Sequence, residues 1–209
     1  METQLRKQIQ SVLASDYRGP RASYGETDVL KALFVIGNSD TRVGRFKLGK
    51  TTGLGQGEVR TLISRLKDAG LITVDSRGCA LTDKGRKKFQ SISRAIPKSS
   101  AVEAKALDLG EYYWYVIVRD LEARIKKGLE QRDASIRAGA TGALTVIYSG
   151  GRFKIPGDME DCEAMGPSEP WIAIRGESDL KDGDIVIVSG ADSALLAEEG
   201  ALAAALTIL

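Results

Sequence analysis

Between Leu48 and Leu81 the sequence changes period once, and that change restricts what the segment can fold into. Val59, Leu62, Ile63 and Leu66 fall at i, i+3, i+4 and i+7, which is a single apolar stripe along an α-helix. Gln56, Arg60, Thr61, Ser64, Arg65 and Lys67 fall off that stripe, on a polar face. Gly70 ends the helix, because glycine takes the left-handed backbone that closes a helix at little steric cost. Beyond it Leu71, Ile72 and Val74, the turn Asp75-Ser76-Arg77-Gly78, and Cys79, Ala80 and Leu81 predict a short β-hairpin with an arginine at its tip.

The flanks extend the pattern. Glu26–Ile36 is predicted as a helix with Thr27 as its cap, Val29, Leu30, Leu33, Phe34 and Ile36 as its apolar face, and Gly37 closing it. A polar connection, Asn38–Arg42, leads to a short helix at Gly44–Thr52, with Phe46 and Leu48 expected in the core and Arg45, Lys47 and Lys50 outside. After the hairpin, Thr82–Arg94 reads as a helix whose outer face carries Lys84, Arg86, Lys87 and Lys88. Met1–Ser23 has a weak helical pattern (Leu5, Ile9, Val12, Leu13) broken at Arg18-Gly19-Pro20-Arg21. It fits a dimerising helix, a basic arm along DNA or a loose terminus.

LGKTTGLGQGEVRTLISRLKDAGLI (Leu48–Ile72) and CALTDKGRKKF (Cys79–Phe89) resemble the winged helix-turn-helix domain of transcriptional regulators. The resemblance implies that the helix carrying the Val59-Leu62-Ile63-Leu66 stripe is a recognition helix lying in a major groove. Gln56, Arg60, Thr61, Ser64 and Arg65 are then the groove candidates, able to reach base edges or phosphates. Lys50, Thr51, Thr52 and Arg77, with Arg45 and Lys47, become candidates for the DNA backbone, which the positioning helix and wing flank.

Charge points the same way. Residues 1–98 hold 19 Lys+Arg against 9 Asp+Glu, a balance of +10, and residues 99–209 hold 11 against 19, a balance of −8, within a total of +2. A basic half joined to an acidic one suggests that the first meets a polyanion. The chain has no histidine and two cysteines, Cys79 and Cys162. That removes the commonest general base and metal ligand and leaves no disulfide framework. No cofactor, metal or enzymatic activity is therefore expected. No apolar run reaches the roughly 20 residues of a membrane span and no signal peptide opens the chain, so a cytoplasmic protein without a membrane partner is expected.

Ile96-Pro97-Lys98-Ser99-Ser100 reads as a linker, placed where the charge changes sign. It divides the chain into 1–98, a DNA-binding domain with an N-terminal extension, and 99–209, a dimerisation or effector-sensing domain. In the second half Tyr112–Val118 reads as a buried strand. Leu121, Ile125, Leu129 and Ile136 are spaced for a helix ending near Gly139. Ala143–Tyr148 and Arg152–Ile155 form a hairpin through Ser149-Gly150-Gly151. Trp171–Arg175 and Asp184–Ser189 are further strands. Asp192 or Ser193 caps a last helix carrying Leu195, Leu202 and Leu206. The expected order is β-α-β-β-β-β-α, and the fold class is α+β: a winged helix-turn-helix followed by a small α+β domain.

Two motifs in this half are explained by structure alone. The glycines of Arg137–Gly142 follow a helix and precede a strand, the reverse of a dinucleotide-binding loop, and a tight helix-to-strand connection accounts for them. The acidic loop around Asp158, Glu160, Asp161 and Glu163 lacks the spacing of a calcium loop and reads as solvated. Leu180–Gly190 looks like the end of small ligand-binding domains of potassium transport systems, which implies a turn feeding a buried strand. If an effector pocket exists, Arg132, Asp133 and Arg152 are its candidate lining, with ion pairing on a helix surface as the competing account.

The winged-helix segment, then EQRDASIRAGATGALTVIYSGGRFKIPGD (Glu130–Asp158), then SGADSALLAEEGALAAAL (Ser189–Leu206) together resemble a family of archaeal winged-helix proteins whose C-terminal domain has no assigned function. The expectation is a homodimeric transcription regulator that binds double-stranded DNA and answers to a small-molecule effector. The competing expectation is a non-enzymatic protein-interaction adaptor that touches nucleic acid without sequence preference.

Overall fold

The structure, a computed structural model, describes residues 4–13, 24–157 and 161–209. It mixes helices with two sheets, and its contacts divide the chain into two compact units, the first ending at Ile92 and the second running Ser93–Leu209.

The first unit opens with α1 (Gln4–Leu13), α2 (Glu26–Gly37), α3 (Arg45–Thr52) and α4 (Gln56–Asp68). It continues with the hairpin β1 (Ile72–Asp75) and β2 (Gly78–Leu81), then enters α5 (Asp83–Ala95), whose last turn belongs to the second unit. α1 buries Ile9 and Val12 and packs on α2 and α4, so its apolar stripe is used within its own chain. Arg18-Gly19-Pro20-Arg21 lies outside the described residues.

Thr27 does not cap α2. The Gly25 N–H donates to Asp28 Oδ2 at 2.9 Å, and Thr27 is buried. An acid three residues into a helix reaches back to the amide before it, and Glu58 opens α4 in the same way, accepting from the Gly55 N–H at 2.8 Å. The α4 stripe is buried as spaced, with Val59, Leu62 and Leu66 fully inside. The helix closes when the Leu71 N–H donates to Leu66 O at 2.9 Å across Gly70. Phe46, expected in the core, is 80% exposed while Leu48 is buried. Two residues apart on a helix is about 200° of rotation, so both cannot face the same core.

The hairpin pairs Ile72 with Leu81 and Asp75 with Gly78. Val43, in the connection before α3, exchanges both backbone hydrogen bonds with Cys79 at 2.9 Å and adds a bridge to β2. Gly78 permits this approach: at φ +125° it occupies backbone closed to other residues, and a Cβ there would stand 2.6 Å from Val43 O.

In the second unit the strands are β3 (Lys98–Ala101), β4 (Tyr112–Val118), β5 (Gly142–Ser149), β6 (Arg152–Lys154) and β7 (Ile185–Ala191). Its helices are α6 (Leu129–Arg137), α7 (Cys162–Met165), α8 (Glu169–Glu177) and α9 (Ala194–Leu206). The sheet is antiparallel throughout, in the order β3-β4-β7-β5-β6. β7, the last strand in sequence, inserts at the centre and is buried at every position.

Three expectations are corrected here. The supposed linker is partly the edge strand β3, pairing Lys98 with Ile117 and Ala101 with Trp114. Pro97 sits just before it, where a missing N–H costs no ladder bond. The helix expected from Leu121 onward is only α6, because Gly128 at φ +76° starts it and a short 3-10 turn at Glu122–Arg124 stands apart. Leu129 and Ile136 are about half exposed, so their spacing marks no buried face. Trp171–Arg175 is helix α8, not a strand: Trp171 and Ile174, three apart, are both buried, and Pro170 sits in the first turn. A short apolar run cannot by itself distinguish a strand from a buried helical turn.

α6 and α9 cover one face of the sheet. Small residues let α9 approach closely: Gly200 lies over Ser135 and Ser189, whose hydroxyls are 2.9 Å apart and buried. On the other face Trp171 and Ile174 of α8 pack against Tyr115, Phe153, Val186 and Val188. Ser193 caps α9, its hydroxyl accepting from the Leu196 N–H at 3.3 Å.

Candidate nucleic-acid interface

The first unit brings α3, α4 and the hairpin into succession through two short turns. Gly53, at φ +76°, ends α3, and Leu54-Gly55 leads directly into α4. Arg45, Lys47 and Lys50 on α3 are exposed, as are Gln56 and Arg60 on α4. Gln56 and Arg60 are i, i+4 neighbours on one face. Thr51, Thr61 and Ser64 are half-buried. Thr51 and Thr61 donate back to the carbonyls of Lys47 and Gly57 at 3.1 Å, and Ser64 donates to Asp68 at 3.4 Å.

Two candidates are lost from this face. Arg65 is 6% exposed. Its Nη1 donates to Leu13 O at 2.7 Å and its guanidinium lies 5.6 Å from the Tyr24 ring centroid. It joins α4 to the chain around α1, because its position, six past Val59, falls beside the stripe rather than opposite it. Thr52 is also buried: its hydroxyl donates to Leu48 O at 2.8 Å and accepts from the Leu54 N–H at 3.3 Å, which secures the turn between α3 and α4.

Arg77 stands at the hairpin tip, its side chain 79% exposed and 3.4 Å from Asp75. Sequence reasoning missed Arg42, whose Nε lies 3.1 Å from the same carboxylate and whose Nη1 donates to Gly78 O at 3.2 Å. The Asp75 carboxyl is held below the usual range, first by the Arg77 backbone N–H and then by the charges of Arg42 and Arg77. Two guanidiniums around one carboxylate leave the tip net positive. The β-branched Val43 beside Arg42 was the available signal for a strand-like bridge. Phe46 was missed as well, and stands exposed between Arg45 and Lys47.

The three effector candidates do not share partners. Arg132 and Asp133 on α6 pair with each other at 3.2 Å, and Arg152 on β6 pairs with Asp161 at 2.6 Å. Of the acidic loop, Asp161 holds Arg152 and caps α7 by accepting from the Glu163 N–H at 3.0 Å, and Glu163 pairs with Arg175. Asp158 and Glu160 lie outside the described residues. Both cysteines are free and buried; burial raises both thiols, that of Cys162 to about 11. A thiol kept protonated is a poor nucleophile. No helix among the described residues is long and apolar enough to cross a membrane.

No curated protein matches the chain. A solved structure, "Hypothetical protein PH0730 from Pyrococcus horikoshii OT3", is similar to it with a TM-score of 0.72 and 26% identity, over 88% of this chain and 92% of that one. Residues 109–208, which include the eight elements of the second unit from β4 to α9, match the model of a domain of unknown function, DUF4443.

Proposed function

We propose that the first unit is a winged helix-turn-helix that binds double-stranded DNA, and that the protein is a homodimeric transcription regulator. The observation that carries this reading is the exposed polar and cationic set on successive elements: Arg45, Lys47 and Lys50 on α3, Gln56 and Arg60 on α4, and Arg77 at the hairpin tip. These suit phosphates on either side of a groove and base edges within it. Arg60 and Gln56 are the side chains for base readout, since guanidinium and carboxamide groups match the donor and acceptor pattern of guanine and adenine. In the second unit, Ile136, Leu195 and Leu196 are 36–46% exposed on α6 and α9 and supply apolar surface for pairing two copies. An effector would act by favouring one of two placements of the paired recognition helices.

The test is selection of bound fragments from the source genome by the full-length protein at near-physiological salt. A palindromic motif with half-sites about one helical turn apart supports the reading. Arg60→Ala should then weaken binding to that motif by about 1–3 kcal/mol while leaving non-specific binding nearly unchanged. A second reading, a protein-interaction adaptor, draws on one observation, the exposed ring of Phe46 on α3. Salt-sensitive binding without any enriched motif favours it.

A further inference from the structure

A cleft of about 550 Å³ opens in the first unit between α1, the stop of α4 and the outer face of α5. Its apolar floor comes from Val12, Ala69 and Leu71, and its rim carries Lys84, Lys87 and Lys88. That volume lies in the range of small-molecule sites. Lys84 is used structurally, donating to Ala69 O at 2.7 Å. The ammonium groups of Lys87 and Lys88 have no acidic partner among the described residues. Lys88 is half-buried, and its ammonium is pushed down to about 8, chiefly by burial and secondly by Lys84.

We propose that this cleft is a binding site for an amphipathic anion, a single carboxylate or phosphate head on an apolar tail. The tail lies on Val12, Ala69 and Leu71, and the head pairs with Lys87 and Lys88. Charge decides for an anion, because Lys84 and Lys88 already repel one another there and an anion relieves both that repulsion and the cost of burying Lys88. The lining decides for a tail, because the surface the cleft exposes is mostly apolar and an inorganic anion would leave it uncovered. The site touches the stop of α4 at Ala69 and Leu71, and it stands independently of whether α4 reads DNA.

The test uses the full-length protein and the fluorescent probe anilinonaphthalene sulfonate, an apolar anion, titrated to saturation. The expected result is one probe per chain, displaced by octanoate and by octyl phosphate. Octanol and inorganic phosphate, the tail and the head alone, should displace it far less well. The double variant Lys87→Met, Lys88→Met and the single variant Ser91→Glu, which adds a carboxylate at the exposed rim, should each weaken the probe by about tenfold or more. Circular dichroism checks that both variants remain folded. Unchanged probe affinity in both variants would overturn the proposal. So would displacement by inorganic phosphate as effective as by octyl phosphate, which would make the lysines a plain polyanion contact. Displacement by octanol as effective as by octanoate would also overturn it, since the lysines would then contribute nothing.

Discussion

Arg60 and Arg65 are five residues apart on the same helix, and their surroundings assign them opposite roles. Arg60 is exposed, whereas Arg65 is buried against Leu13 O and Tyr24. Arg65→Ala should destabilise the protein by about 1–3 kcal/mol, the cost of a lost charged hydrogen bond and an emptied packing site. Arg60→Ala should change stability by about 0.5 kcal/mol or less. Urea unfolding of the two variants checks this; equal stability would place Arg65 outside the core. Lys88 supplies a pH prediction. Its ammonium titrates near 8 in the folded protein against 10.5 when free, so between these values the unfolded chain binds more protons. Stability should therefore rise as pH climbs from 8 toward 10.5, and Lys88 weakens the fold below that window. Lys88→Met should raise the melting temperature at pH 7 and flatten that part of the pH profile.

At the scale of elements, backbone geometry decides what side-chain pattern leaves open. The hairpin depends on Gly78, which lets Val43 bridge to Cys79. Gly78→Ala should cost about 1–3 kcal/mol through strain at positive φ and a clash with Val43 O. If the first unit binds DNA as proposed, the same change should weaken that affinity, because the Arg77 tip would no longer be held by Asp75 and Arg42. Thermal melting and DNA titration of one variant measure both effects; a wild-type melting temperature would show that the bridge contributes little. Gly128 plays the corresponding part for α6, and its positive φ is why the helix begins there rather than at Leu121.

For the whole molecule, the contacts divide the units after Ile92, ahead of β3. A fragment starting at Ile96 should unfold cooperatively, while one starting at Glu103 should lose about 2 kcal/mol or more, since it removes the β3 ladder bonds and uncovers the edge of β4. Equal denaturation midpoints would return Lys98–Ala101 to a linker. The charge asymmetry also has a bulk consequence. If Arg45, Lys47, Lys50, Arg60 and Arg77 of each copy neutralise phosphates, the slope of log affinity against log salt for the dimer should be about −9. A slope near −2 would confine contact to one or two cations.

Several features were decided by sequence. The stripe Val59-Leu62-Ile63-Leu66, the stop at Gly70 and the turn Asp75–Gly78 are local: periodicity and turn chemistry act within a few residues, and α4 and the hairpin form where they point. The strands at Tyr112–Val118 and Ala143–Tyr148, and a cap at Asp192 or Ser193, were legible for the same reason. Tertiary structure alone decided which polar residues remain on the surface. Arg65 and Thr52 lie at positions whose burial depends on what packs beside them, and a chain cannot show its neighbours in advance. It also decided that Lys98–Ala101 pairs with β4, that Trp171–Arg175 is helical and that β7 enters the middle of the sheet. Those outcomes rest on partners distant in sequence, whose hydrogen bonds and buried area outweigh weak local preference.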